Sequence, residues 1–259
     1  MLFRSANRGL KGREQAVWLW RLEVELDNIR AAMAVTLTGS VDAFIAVKMS
    51  LRMLSFWMLR GYVKEGRRFV KAALELPAIQ ASDLAQGHAL YVSACLATSQ
   101  SDHAEARAML EICLHLRRRL GIAVDIAATL STLSLARLQA GNAEGAAAAE
   151  QEALQIFREV KDRLGEAIGL LHLGEIALVQ GDDAQALMHL GACLVIAREI
   201  KNQEIEGACQ LIQGEVAFAG GHTAQARLWC TRSLTVCRDR KSTRLNSSHS
   251  TLSRMPSSA

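Results

Sequence analysis

The chain repeats itself at a constant interval of 40 residues, and this feature restricts its fold more than any other. One anchor position is glycine in four units and serine in the remaining one, and a leucine always stands thirteen residues after it. The residue five positions after the anchor is glycine or alanine, and the residue twelve positions after it is small. The anchors are Gly61, Ser101, Gly141, Gly181 and Gly221, and the leucines are Leu74, Leu114, Leu154, Leu194 and Leu234. Such a period indicates one structural unit stacked several times.

Each unit has the pattern of two helices joined by a short turn. Apolar residues recur every three or four positions on both sides of the anchor, and the alternation typical of β-strands is missing. Seven residues before the anchor, Ser134, Gly174 and Gly214 are small enough for a second helix to approach closely. The pattern predicts an all-α superhelical solenoid of about five 40-residue helix pairs, preceded by one further helix.

Composition and charge exclude several classes of protein. Half of the residues are hydrophobic and 22% are charged, which excludes a wholly disordered chain. The longest stretch without a formal charge, residues 84–101, is too polar to cross a bilayer, and no signal-peptide core follows the basic start. The net charge of +4 comes from the two ends, because residues 1–13 and 241–259 contain basic residues and no acid. The body between them is slightly acidic, so we expect no direct contact with nucleic acid and none with a membrane.

The repeats resemble the tetratricopeptide repeat (TPR) family. The resemblance is clearest in the fourth unit, at Leu170, Leu173, Gly174, Ala177, Gly181, Ala186, Leu190 and Cys193. It covers residues 47–240. Two departures stand out: the period is 40 instead of about 34 residues, and a helix-ending proline stands only in the first unit, at Pro77. The extra residues follow the second helix, for example at 158–164, where they would lengthen that helix by about 9 Å.

A second resemblance concerns the first part of the chain. Residues 20–34 (WRLEVELDNIRAAMA) and 56–72 (FWMLRGYVKEGRRFVKA) resemble the start of the repeat array in large bacterial ATP-dependent transcription regulators of the LuxR/AfsR-like kind. In that family the ATPase and the DNA-binding helices lie outside the array. The resemblance implies that an effector bound to the array relieves inhibition of the ATPase, and it implies a cytoplasmic protein.

The chain divides into four segments by composition. Residues 1–13 form a basic leader, residues 14–46 an N-terminal helix region, and residues 47–240 the repeat array with turns at 61, 101, 141, 181 and 221. Residues 241–259 contain seven serines and no acid, so we expect them to be disordered. This tail and residues 2–5 resemble adapter-derived sequence, and we expect both to be non-native and the chain to be a fragment.

Catalytic and metal-binding patterns are missing from the sequence. It contains no P-loop, no dinucleotide-binding glycine pattern, no HExxH and no nucleophile elbow. The six cysteines show no metal-ligand spacing and are expected to be reduced core residues. Cys193 and His189 share a helix face, but two ligands are too few for a metal site. We therefore expect a non-enzymatic protein without cofactors or metals.

Two surfaces are candidates for partner binding. In TPR arrays the first helices line a concave groove, and by this resemblance the candidate groove residues are Tyr91, Cys95, Ser131, Leu135, Leu171, Glu175, Leu211 and Glu215. The alternative for the two glutamates is simple solvation or pairing with an arginine. A rim ladder of Arg118, Arg158, Arg198 and Arg238 stands in identical register near the ends of the second helices. Two interpretations of this ladder stay open: a favourable interaction with the helix dipole, and docking of an acidic partner.

An aromatic cluster before the first turn could be a ligand cage, but we expect it to seal the end of the solenoid. Its members are Trp18, Trp20, Phe56 and Trp57. The partner expected in the groove is a protein, a peptide or a small effector. Two alternatives to the regulator remain open, namely a free-standing scaffold and the regulatory tail of a cyclase or kinase.

Overall fold

The computed structural model describes residue 10 and residues 15–235, apart from the side chain at position 219. The chain divides into two compact units, one ending at Leu120 and the other beginning at Gly121. Helices make up the described part, which contains no strand. The predicted all-α fold is confirmed.

Unit 1 consists of helices that pack as successive hairpins. Their bounds are α1 Gln15–Val24, α2 Leu26–Thr36, α3 Phe44–Arg60, α4 Val63–Leu74, α5 Pro77–Gln80, α6 Asp83–Thr98 and α7 His103–Leu120. Two helices, α1 and α2, therefore precede the first hairpin, where the sequence predicted one. Of the aromatic cluster, Phe56 and Trp57 are fully buried in the core of this unit, whereas Trp20 is exposed. Packing accounts for Phe56 and Trp57, and nothing brings all four aromatic residues into a cage.

Unit 2 is more regular than unit 1. Its helices are α8 Ala123–Gln139, α9 Ala143–Glu159, α10 Arg163–Val179, α11 Asp183–Glu199 and α12 Gln203–Ala219, followed by α13 over residues 223–235 as far as it is described. The hairpin partners α8 and α9 pack together, as do α10 and α11, and each hairpin also packs on the next. Apolar residues from successive hairpins form one continuous core within this unit.

A backbone turn with positive φ recurs every 20 residues. The anchor positions 101, 141, 181 and 221 adopt this conformation, and so do Gly121, Lys161 and Lys201 midway between them. Helices of 17 residues alternate with turns of three residues in unit 2. The extra residues thus do not simply extend the second helix, because the helix ends at Glu159 or Glu199 and a second turn follows.

Side-chain caps fix where the four helices α9 to α12 begin. Asn142, Asp162, Asp182 and Asn202 each accept a hydrogen bond from the backbone N–H three residues later. These caps satisfy N–H groups that have no partner inside the helix. The turn residue and the cap together stop one helix and start the next, so the helix lengths are set locally.

The small residues of the repeat lie where two helices come closest. A Cβ atom on Gly174 would lie 2.8 Å from the Leu190 side chain, so only glycine fits there without movement. The small residue twelve positions after the anchor uses its side chain differently. Cys113, Cys193 and Ser233 donate to the carbonyl oxygens of Gly87, Ala167 and Gly207, at 3.1, 3.1 and 2.9 Å. A thiol or hydroxyl in this position ties the second helix to the first.

Candidate functional site

The first helices of unit 2 form a layer of their own. Helix α10 contacts both α8 and α12. The second helices α9 and α11 are instead separated by an open groove of about 700 Å³. Leu170 and Leu173 of α10 form the base of this groove. Because the first helices touch and the second helices are spread apart, the first-helix surface is the inner face of this unit. We call it the inner face of unit 2; it carries Ser131, Leu135, Leu171, Glu175, Leu211 and Glu215.

A buried polar cluster lies beneath this face. The Nδ1 atom of His172 is 3.2 Å from Oε2 of Glu150 and 3.1 Å from Oγ of Ser131. The Glu150 side chain is completely buried, and the His172 side chain is 14% exposed. The second carboxylate oxygen of Glu150, Oε1, has no hydrogen-bond partner among the described residues. The cluster therefore joins three helices through one imidazole that is the only part open to the surface.

Glu150 stands where the neighbouring repeats have a leucine. Forty residues before and after it are Leu110 and Leu190, which are equally buried. Burying a carboxylate costs free energy unless the charge is paired, and even a paired carboxylate seldom exceeds an apolar residue in stabilisation. The fold of the repeat therefore does not require Glu150, since its neighbours fold with leucine.

The inner face of unit 2 is acidic. Burial raises the pKa of the Glu175 carboxyl above its ordinary value; His172 opposes this shift, whereas the carboxylates of Glu215 and Glu150 add to it. Glu215 itself is exposed. Three carboxylates thus act on one region that contains a single imidazole. A region of this kind favours a ligand that carries positive charge.

The apolar members of the predicted groove surround these acids. Leu135 and Leu171 are partly buried, and Leu211 is 46% exposed. Ser131 is buried and bonded to His172, so it supports the cluster beneath the surface. Exposed or half-exposed leucines beside carboxylates form a surface that contacts both apolar and cationic groups.

The remaining two predicted groove residues, Tyr91 and Cys95, belong to unit 1. The guanidinium of the buried Arg117 lies 4.5 Å from the centre of the Tyr91 ring, and its Nη2 atom is 3.3 Å from Nδ1 of His88. Burial raises the pKa of the Cys95 thiol to about 12. These contacts hold Tyr91 against the helix pair α6 and α7, and Cys95 remains a protonated thiol.

Two of the rim arginines make the same ion pair in successive repeats. The Nε atoms of Arg158 and Arg198 lie 3.0 and 2.9 Å from the Oε1 atoms of Glu166 and Glu206, eight residues later. Each pair bridges the turn between one hairpin and the next. Arg118 is exposed, and Arg238 lies outside the described residues. Arg158 and Arg198 thus each have an intramolecular partner, and docking of an acidic partner stays a prediction.

Several functional candidates were missed by sequence reasoning. Glu150 and His172 carry no motif, and Gln210 and Gln213 likewise replace the leucines found at 130 and 170 and at 133 and 173. Both glutamines are buried, and their Oε1 atoms have no hydrogen-bond partner among the described residues. The sequence signal for Glu150 and the two glutamines was a polar residue at a repeat position where other units have leucine.

The described residues contain neither a metal-binding cluster nor a membrane-spanning helix. No group of three or more histidine, cysteine or acidic side chains is arranged to hold a metal ion within the described residues. In the same part of the chain, no helix is both long and apolar enough to cross a bilayer.

Comparisons with known proteins identify the fold. No protein-family model matches the chain, and no curated protein matches it. Solved structures do: BtubC from P. vanneervenii has a TM-score of 0.69 at 15% identity, over 86% of this chain and 92% of that one. A Rap protein in complex with Competence and Sporulation Factor has a TM-score of 0.62 at 14% identity, over 87% of this chain and 75% of that one.

A longer protein is similar over almost the whole chain. The STAND (Signal Transduction ATPase with Numerous Domains) protein with a tetratricopeptide repeat sensor from Pyrococcus horikoshii has a TM-score of 0.67 at 14% identity. The match covers 92% of this chain and 37% of that protein. At such identities the similarity shows the fold alone. The chain folds as a TPR-like array of helical repeats.

Proposed function

We propose that the chain is a non-catalytic interaction module that binds a peptide or protein segment on the inner face of unit 2. The observation that carries this proposal is the buried Glu150–His172 pair beneath that face, at a position where neighbouring repeats have leucine. A costly polar pair that the fold does not need is typical of a functional site. Stacked helical repeats supply the extended surface on which such binding takes place.

The carboxylates and leucines of the inner face indicate which kind of partner binds there. Glu175 and Glu215 attract a lysine or arginine side chain, and the apolar surface of Leu171 and Leu211 contacts its neighbours in the bound segment. Burial is the main cause of the raised pKa of Glu175, and a bound cation relieves the smaller part that comes from the carboxylates of Glu215 and Glu150. The proposed partner is therefore a segment that combines basic and apolar residues. The Rap protein structure is a complex with Competence and Sporulation Factor, which supports a TPR-like array as a binding module.

The proposal extends to the parent protein. We infer that the array belongs to a cytoplasmic ATP-dependent transcription regulator, because residues 20–34 and 56–72 resemble the start of the array in such proteins. The similarity to a STAND protein, of which the chain spans 37%, supports a repeat array carried within a longer ATPase. In this mechanism the ligand binds one arrangement of the regulator better than another and shifts the population towards it.

A peptide-binding assay tests the inner face. Fluorescein-labelled peptides of alternating leucine and arginine, or of alternating leucine and glutamate, are titrated with the protein at two salt concentrations. We expect the basic peptide to bind more tightly and to lose affinity with salt. The double variant Glu175→Gln/Glu215→Gln should weaken its binding at least tenfold. The matched control, Glu144→Gln/Glu152→Gln, removes two exposed carboxylates from the second helix α9 and should leave binding unchanged.

Two outcomes would contradict the binding proposal. One is equal affinity for the acidic and basic peptides, and the other is an equal loss of affinity in both double variants. The regulator proposal is tested separately, by sequencing the coding region that adjoins this chain. A P-loop ATPase in the same reading frame supports the regulator. Stop codons close to both ends of the array would overturn it.

A further inference from the structure

We propose that Cys193 and Cys209 form a modification site, in which the two thiols are oxidised to a disulfide that joins two successive repeats. The Sγ atom of Cys209 lies 3.0 Å from the Sγ atom of Cys193. Cys193 is on α11 and Cys209 on α12, so the pair spans the contact between one hairpin and the next within unit 2. This inference does not depend on the proposed ligand of the inner face.

The register of the repeat shows that the pair is an addition to the fold. Forty residues earlier, the corresponding residues are Ala153 and Gly169, neither of which has a reactive side chain. Cys113 shares the register of Cys193 and makes the same bond to a backbone carbonyl, but threonine stands sixteen residues after it. The packing of these helices therefore needs a small residue at 193 and tolerates glycine at 209. It does not need two sulfur atoms in contact.

The surroundings keep the Cys209 thiol protonated while the interface is closed. Both thiols are completely buried. The thiol of Cys193 and burial together raise the pKa of Cys209, and the nearby acids Glu175 and Glu206 act in the same direction. Thiolates are the reactive form, so oxidation proceeds only when α11 and α12 separate briefly. The pair consequently reacts slowly, and the disulfide, once formed, is protected from reductants by the same burial.

A low-molecular-weight disulfide, oxidised glutathione, supplies the oxidising equivalents. One cysteine thiolate attacks a glutathione sulfur, which forms a mixed disulfide and releases the first glutathione as thiolate. The second cysteine thiolate attacks the protein sulfur of the mixed disulfide, forms the Cys193–Cys209 bond and releases the second glutathione. The protein loses two protons and two electrons, and one molecule of oxidised glutathione becomes two molecules of reduced glutathione.

Mass spectrometry of the full chain tests the proposal. The protein is equilibrated in mixtures of reduced and oxidised glutathione, alkylated under denaturing conditions and digested. We expect a cross-linked peptide that contains Cys193 and Cys209, with a mass lower by two hydrogens than the sum of the two separate peptides. Cys193→Ala and Cys209→Ala should each abolish this peptide, whereas Cys113→Ala, which removes a buried thiol in the same register, should leave it unchanged.

A second measurement, the urea midpoint of unfolding, tests the disulfide in the unaltered protein. In the unaltered protein, oxidation should raise the urea midpoint of unfolding, because a cross-link restricts the unfolded chain, and reduction should reverse the change. Cys209→Ala should show no such difference between oxidising and reducing conditions. The proposal is overturned if both cysteines remain fully alkylatable at the most oxidising mixture. It is also overturned if the cross-linked peptides pair these cysteines with other cysteines as often as with each other.

Discussion

The buried pair of Glu150 and His172 provides the sharpest test of how unit 2 is built. Replacing His172 by isoleucine, the residue found forty positions later at 212, removes the only described partner of a completely buried carboxylate. Its Oε1 atom already has no partner, so after the change neither oxygen keeps a described one. Leaving a buried polar group without its partner costs about 1–3 kcal/mol, and more when the group is charged. We expect the upper part of this range, because the Glu150 side chain is completely buried.

The double variant Glu150→Leu/His172→Ile should behave in the opposite way. It places on α9 and α10 the residues that stand forty positions later, Leu190 and Ile212, both of which are buried. Replacing both members of a buried polar pair by apolar residues of similar volume is nearly neutral or stabilising. The two changes are therefore strongly non-additive, as expected for residues in contact.

Scanning calorimetry at neutral pH measures both effects. A loss of about 2–3 kcal/mol should lower the Tm of the His172→Ile variant by at least roughly 4 °C, at about 2 °C or more per kcal/mol for a chain of this size. The double variant should unfold at or above the temperature of the unaltered protein. A Tm for His172→Ile within about 2 °C of the unaltered protein would refute the reasoning, since Glu150 would then not depend on the imidazole.

Three further predictions follow from single side chains of unit 2. Gln210→Leu and Gln213→Leu should each raise the free energy of unfolding by about 1–3 kcal/mol in urea titrations, because each removes a buried oxygen that lacks a partner; a loss of stability in both would contradict this. Gly174→Ala should destabilise by about 1–3 kcal/mol through contact with a leucine side chain, whereas Gly191→Ala, with open space beside it, should stabilise by up to about 1 kcal/mol. The pKa of Glu175 is raised above 4.5 in the fold, so the fold binds this proton more tightly than the unfolded chain does, and stability decreases as the pH rises through the raised value. Glu175→Gln should remove that decrease, and an identical pH profile of stability for the variant would contradict the assignment.

The sequence pattern indicated turns at the five anchor positions, but not at Gly121, Lys161 and Lys201 midway between them. Gly141 and Gly181 are conspicuous because glycine adopts positive φ without strain. Lys161 and Lys201 adopt the same conformation at φ of 58° and 55°, which residues with a side chain rarely do. Here the helix that follows supplies the cause, because the next residue caps it and fixes the chain reversal. A propensity argument for one residue cannot include a cause that lies in the next helix.

The candidate site was only partly visible in the sequence for a related reason. Glu175 and Glu215 stand forty residues apart, and the Glu215 carboxylate acts on the pKa of Glu175; their role in the groove stays a prediction. Glu150 and His172 are separated by 22 residues and lie on different helices, so no local spacing joins them. Their contact depends on how α9 packs between α8 and α10, and side-chain packing of this kind is not contained in a hydrophobic period.

A repeat protein nevertheless offers a way to separate folding from function within one chain. The leucines at 110 and 190 show what the packing requires at the position of Glu150, and those at 130 and 170 show the same for Gln210. A buried polar residue at such a repeat position lowers the free energy of unfolding, whereas the leucine at the same position of the neighbouring repeats does not. Within the described repeats of unit 2, these costs fall on Glu150 beneath the inner face and on the two glutamines of α12. Helix α10 carries Glu175, and α12 carries both glutamines together with Glu215 and Cys209. We therefore expect ligand binding and redox chemistry to act on neighbouring helices of unit 2, where stability has been exchanged for specific contacts.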